Sequence, residues 1–356
     1  MRFRLLLLVV IGMLEVSGRA EAFTVNSGFT DPCHERFTMV THFQTRVRIP
    51  SELIPDAPEG AWESFIKAIE KQMAISFESR GERFYYASLL AGVRANDTDG
   101  HSTLNLNALR SMHVHPEMQY EHFLRAQDDD YEQGNIHAIE MGREKILYFF
   151  ELMKQFLILP RASQIIDVGI AMDFHGEVKI QVWAVAFFLG KALHTLQDSF
   201  SHTIRTDDMM RIIHVLNYVE AVGGGWEEER DGLRHSDAMD ECGEEMGPVL
   251  EGVLGASNDL IFAAEAFIQS AGEDDLPVQV VLDKWTSYQE GCDMSNDYCD
   301  SVWAKRASEH PTLPYLESYF GCQSLERKGG TWLAMGILVT CLVFWGLRRR
   351  KCLTKK

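Results

Sequence analysis

His194-Thr-Leu-Gln-Asp198-Ser-Phe-Ser-His202 places an imidazole, a carboxylate and a second imidazole at successive four-residue steps. In a helix each such step turns the side chain by only about 40° and rises roughly 6 Å, so all three project from one face. The two imidazoles then stand about 12 Å apart, too far to share one ion, while Asp198 lies midway and can serve ions on either side. The chemistry this spacing predicts is metal binding with a bridging carboxylate. The competing interpretation is an ordinary polar helix face, and the flank weighs against it. Trp183-Ala-Val-Ala-Phe-Phe-Leu-Gly-Lys-Ala-Leu193 is an apolar run that leads straight into the triplet. Polar groups continuing a buried helix need partners, which an ion supplies.

The elements that must position this triplet read as helices. Apolar residues recur at intervals of three and four over 62–77, 136–159, 178–198, 207–222 and 247–271, whereas alternating, strand-like runs are scarce. The expected fold class is therefore all-α, a multi-helix domain. Polar or glycine-rich breaks fall at 94–102, 126–135, 223–231 and 293–301, and no internal repeat stands out, so one domain with inserted loops is expected over 23–330.

The two ends of the 356-residue chain predict export and anchoring. Residues 1–22 have the form of a secretory signal: Arg2 and Arg4, an apolar run over 5–13, then Ala20-Glu-Ala22 as a small-x-small cleavage site, so that the mature chain begins at Phe23. Residues 329–347 carry no charge and are followed by Arg348-Arg-Arg-Lys351. A single transmembrane helix over 331–347, a basic cytoplasmic tail over 348–356 and an ectodomain outside the cytoplasm, periplasmic or at the cell surface, follow from that pattern. The same tail also resembles a bacterial C-terminal surface-sorting signal.

The formal charge is −18, and since both predicted terminal segments are net basic, the ectodomain is more acidic still. Such a surface repels phosphate backbones unless metal ions intervene, and with no basic patch to offset it this argues against nucleic acid as a partner. Of seven cysteines, Cys33, Cys242, Cys292, Cys299 and Cys322 fall in the ectodomain. Export favours disulfides, with Cys292 and Cys299 the natural local pair and Cys33 with Cys242 a conjectured second, leaving Cys322 free or available for anchoring.

Further candidate ligands lie along the chain: His34 in Cys33-His-Glu-Arg36, Asp97 and Asp99 in the turn-like stretch that ends at Gly100, His122 ahead of an acidic loop at Asp128-Asp-Asp130, and His235-Ser-Asp-Ala-Met-Asp240 after a glycine-rich break. His214 reads as a core residue, and His113 and His115 as loop residues, either of which could stand in for His122. The acidic loop itself reads as a solvated surface.

In this order the residues resemble the superfamily of zinc-dependent phospholipases C and fungal single-strand nucleases. The shared pattern is an N-terminal segment ending in a histidine, a loop aspartate, a His-Phe pair, then His-x3-Asp on a long helix with another histidine soon after. The resemblance covers most of the ectodomain and implies an all-α fold holding two or three Zn2+ ions. It implies that the α-amino group and carbonyl of Phe23 bind one zinc with His34 and Asp198, that Asp97, His122, His194 and Asp198 hold the adjacent one, and that His202 binds a third, completed by His235 with Asp240 or Asp237. The implied reaction is phosphodiester hydrolysis, with Asp97 or Asp99 as the catalytic carboxylate and a phospholipid as the leading substrate. A single-strand nuclease, or a non-catalytic surface protein retaining the fold, is the alternative. The chain departs from the family in the interval from His194 to His202, which is shorter and lacks the usual proline, and in having no His-x3-Glu or His-x3-Asp pair after His202.

Overall fold

The structure, a computed structural model, describes residues 33–309 apart from 46–48, 103–104, 106–110, 114, 116–117, 127–130, 173–175, 219–224, 237–238, 241 and 243–246. The predicted leader, Phe23, Asp237, Cys322, the predicted membrane span and the basic tail lie outside the described residues. Among the described residues, no helix is long and apolar enough to cross a membrane.

The main helices are α1 (Cys33–Thr45), α2 (Trp62–Met73), α3 (Arg80–Thr98), α4 (Tyr131–Leu157), α5 (Ala184–Ser201), α6 (Gly247–Gln269), α7 (Leu276–Trp285) and α8 (Val302–Glu309). At the centre is α5, which packs against α3, α4 and α6, while α1 lies across α6 and α3. Its apolar run explains that place: every residue of α5 except Phe188 and Lys191 is buried. A helix apolar on all sides is stable only when surrounded.

Two glycines let α3 approach α5 closely. A Cβ added to Gly92 would lie 1.9 Å from the Phe187 carbonyl oxygen, and one added to Gly190 would lie 2.0 Å from that of Leu89. No side chain fits at either position, so the two backbones touch, and the turns beyond the crossing bring Asp97 over His194.

The fold is mostly helical, but the expectation of an all-α chain needs correcting. Strands β1 (Ile165–Met172) and β2 (Gly176–Trp183) form an antiparallel hairpin in unbroken register from Ile165↔Trp183 to Met172↔Gly176. A second sheet joins β3 (Thr203–Arg205) antiparallel to β4 (Arg211–Val215), and β4 parallel to β5 (Ser287–Tyr288).

The helical reading of 178–198 began too early because Val178, Val182, Val185 and Leu189 fit helical spacing across what is in fact a junction. Up to Trp183 the chain alternates, with Glu177 and Lys179 exposed and Ile180 and Val182 buried. The helical reading of 207–222 fails because β4 is paired on both edges and buried from Ile212 to Val215, so it shows no alternation to betray a strand. The predicted break at 94–102 also starts too early, since α3 continues to Thr98 with Asp99 as its left-handed C-cap.

Both disulfides named from the sequence are present, Cys33–Cys242 and Cys292–Cys299.

Candidate metal centre

Helix α5 runs through the triplet to Ser201, and His202 is its C-cap, its backbone N–H donating to the Asp198 carbonyl at 2.9 Å. His194, Asp198 and His202 therefore keep the four-residue stagger expected of them, and all three are fully buried.

Around Asp198 the chain gathers ligand-type side chains from four elements. The first turn of α1 brings His34 Nε2 to 3.1 Å from Asp198 Oδ1. A 3-10 turn over Gln119–His122 brings His122 Nδ1 to 2.9 Å from Asp198 Oδ2, and one turn back on α5 His194 Nε2 lies 3.0 Å from the same oxygen. The last turn of α3 adds Asp97, whose Oδ1 is 3.5 Å from His194 Nε2 and 3.9 Å from His122 Nδ1. Thus the two carboxylate oxygens of Asp198 face different histidines. Asp99, the equal candidate in the sequence, is exposed at the helix end, whereas Asp97 is buried.

A further group forms at the C-terminal end of α5. His202 Nε2 is 3.8 Å and His235 Nε2 3.5 Å from Asp240 Oδ1. His202 Nδ1 donates to the backbone carbonyl of His122. One residue thereby joins the two ends of the constellation, with the His122 ring turned towards Asp198 and its carbonyl towards His202.

Three sets of buried side chains could each hold a metal ion: His34 with His194 and Asp198, Asp97 with His122 and His194, and His202 with His235 and Asp240. The separations suit one. Ligand atoms about 2.05 Å from a tetrahedral ion stand roughly 3.3 Å apart, in the middle of the range seen here. Hydrogen bonding points the same way. His194 Nε2, Asp198 Oδ1 and His202 Nε2 are buried and have no hydrogen-bond partner, although each lies within 4 Å of an opposite ligand atom. Buried polar atoms left so cost free energy that a cation would recover.

Protonation states agree with that role. Burial, with His34 alongside, pushes His194 down to about 4, and burial takes His202 to about 4 as well. Burial also lowers His122 and holds His235 well below the usual imidazole range. For Asp198 burial acts to raise the pKa, but His194, His202 and His34 together with the His122 hydrogen bond outweigh it and keep the carboxyl well below its usual range. Neutral imidazoles around an ionised carboxylate are the forms that coordinate metals.

Sequence reasoning missed several neighbours. Gln197 accepts from His34 Nδ1 at 2.9 Å. His113 stacks on the His122 ring at 4.1 Å, and Tyr218 lies between the rings of His113 and His235, at 5.3 Å and 4.8 Å. Gln197 had a visible sign, being an amide inside an otherwise buried helix, and His113, named from the sequence as a stand-in for His122, instead stacks on that ring. The residues Asn96-Asp-Thr98, a glycosylation sequon by pattern, are all buried. The Asn96 amide donates to the Lys191 carbonyl and to Thr195 Oγ1, both at 3.1 Å. His214 stands apart from the three sets, on β4, with Nε2 3.2 Å from the Asp231 carbonyl oxygen. Searched against known proteins, the chain matches no protein-family model, no curated protein and no solved structure.

Proposed function

We propose that this chain is a zinc-dependent phosphodiester hydrolase of the phospholipase C and single-strand nuclease type, exported and acting first on phospholipid head groups. The observation that carries the reading is the contiguity of the three metal-capable sets. Two of them share His194 and meet at Asp198, which faces His34 with one oxygen and His122 with the other. The third is joined to them through the His122 carbonyl and His202, and buried ligand atoms of His194, Asp198 and His202 have no hydrogen-bond partner. Imidazole and carboxylate in such numbers suit zinc.

In this reading His34, His194 and Asp198 hold one ion, and Asp97, His122, His194 and Asp198 a second. His202, His235 and Asp240 hold a third. Zinc at such a site supplies Lewis-acid stabilisation of a phosphoryl group and acidifies water. Asp198 places one carboxylate oxygen on each side of the shared centre. Asp97 is the general base of the reading, because it reaches both His122 and His194 through one oxygen and, unlike Asp99, lies inside the cluster. The His122 carbonyl fixes the tautomer of His202 by accepting from Nδ1, which leaves Nε2 as the ligand atom.

The acidity of the chain favours a lipid or small phosphodiester over a polyanion. The test is elemental analysis of the purified chain followed by assays before and after chelation. Two or three zinc ions with chelator-sensitive release of phosphorylated head groups are expected. Chelator-sensitive cleavage of single-stranded nucleic acid without head-group release would transfer the assignment to a nuclease. Absence of bound metal after gentle purification would overturn the catalytic reading.

A further inference from the structure

We propose that Gln197 is a positioning residue for the metal centre: it fixes the tautomer and ring plane of His34, so that Nε2 is presented to the Asp198 side as a ligand atom. The inference rests on the metal-centre reading above.

Gln197 is fully buried and immediately precedes Asp198 on α5. Its side-chain oxygen lies 2.9 Å from His34 Nδ1, and its amide nitrogen donates to Thr38 Oγ1 at 3.1 Å and to Ser257 Oγ at 3.2 Å. A single amide thus meets α1 through His34 and Thr38, one turn apart, and α6 through Ser257. Both hydrogens of the amide are engaged by hydroxyl oxygens, which leaves the oxygen for the imidazole.

The tautomer follows from the amide itself: with its hydrogens donated to Thr38 and Ser257, Gln197 meets the ring through its oxygen, which can only accept. The proton belongs on Nδ1, where Gln197 accepts it. Metal-binding histidines commonly donate their second nitrogen in this way, and the acceptor sets ring orientation and ligand basicity. The stacking of His34 on His194, at 3.9 Å between ring centres, requires the same fixed plane.

A buried amide that merely fills the core would behave differently from one that orients a ligand. Gln197→Leu keeps the volume and removes the acceptor. Gln197→Glu keeps the acceptor, and the Thr38 and Ser257 hydroxyls can turn to donate to it. The experiment is competitive titration of the chain with Zn2+ against a chelating dye, with the melting temperature of each variant measured in excess chelator. Gln197→Leu is expected to weaken one zinc site by roughly 10–100-fold, and Gln197→Glu to bind within a few-fold of the parent.

If the Leu variant does not fold, Thr38→Val combined with Ser257→Ala releases the amide without touching His34, and a several-fold loss at the same site is expected. Parent-like zinc affinity in Gln197→Leu, or in the double variant where that is used, overturns the inference, as does equal weakening in the Leu and Glu variants. A parent chain that binds no zinc at all overturns the metal-centre reading itself, a result distinct from any difference among variants.

Discussion

Gly190 on α5 lies directly against the backbone carbonyl of Leu89 on α3, with room for a hydrogen and nothing larger. The contact is one turn from His194 and sets how near α3 carries Asp97, whose Oδ1 ends 3.5 Å from His194 Nε2. Gly190→Ala pits two effects against each other. Helix propensity gains up to about 1 kcal/mol, whereas forcing a methyl into a 2.0 Å gap against backbone displaces a helix and costs about 1–3 kcal/mol or more. The clash should win. A lower urea midpoint with reduced zinc content is expected. Gly81→Ala, in the first turn of α3 with nothing within 4 Å of its Cβ position, should be neutral or mildly stabilising. Equal midpoints for Gly190→Ala and the parent would show that the helices do not need this contact.

Asp198 touches more of the centre than any other ligand. One of its oxygens faces His34 and the other faces His122 and His194. His202 lies at the far end of the constellation, in the separate set with His235 and Asp240. Asp198→Asn, which puts an amide among neutral imidazoles, should therefore release more than one zinc ion per chain. It should also lower activity beyond the roughly 10–100-fold typical of outer-shell substitutions. His202→Ala should release at most one ion. Metal stoichiometry on the two variants side by side decides the point, and equal losses would remove the bridging role from Asp198.

How much of this was legible depended on the range of the interactions. The face formed by His194, Asp198 and His202 is a local property of one helix, so spacing alone revealed it. The long helices α4 and α6, whose cores repeat at helical intervals, were equally plain. Strand β2 was absorbed into the following helix because its last apolar residues continue the helical spacing of α5. Strand β4 was misread because burial on both faces erases the alternation that marks a strand. The choice between Asp97 and Asp99 was not local at all: it depends on where α3 ends and on a glycine contact with another helix. Gln197 and Tyr218 matter only through partners far away in sequence, which no single stretch discloses.

The Cys33–Cys242 disulfide fastens the two ends of the constellation. Cys33 immediately precedes His34, and Cys242 follows Asp240 by two residues, while the bridge spans 209 positions of sequence. Closing so long a loop restricts the unfolded chain by up to about 5 kcal/mol on a loop-entropy estimate, against about 2.5 kcal/mol for the short Cys292–Cys299 loop. Replacing Cys33 and Cys242 by alanine should lower the melting temperature more than replacing Cys292 and Cys299. It should also weaken zinc binding, because the backbone beside one ligand in each of two sets is released. A Cys33→Ala, Cys242→Ala chain with the parent's zinc affinity would show that the ligands are held without the bridge.

Acid should destabilise the fold through histidines that have nothing to do with metal. His42 on α1 sits beside Tyr85 and Tyr86, and burial lowers it to about 3. His214 on β4 is taken to about 3 by burial with help from Arg125. Both are therefore depressed below the unfolded value near 6.5. Between pH 6.5 and 3 the unfolded chain binds protons that the folded chain refuses, so stability is complete above 6.5 and falls as the pH drops through that window. At pH 5 each group accounts for roughly 2 kcal/mol of lost stability. Urea midpoints at pH 7 and pH 5, measured in excess chelator, isolate the effect when the parent is compared with His42→Gln and with His214→Asn. Each variant starts less stable at pH 7, having lost a fitted ring, but should lose roughly 2 kcal/mol less than the parent on going to pH 5. Parallel losses in parent and variants would mean that these two rings accept protons in the folded chain, and that its acid sensitivity lies in the histidines around Asp198.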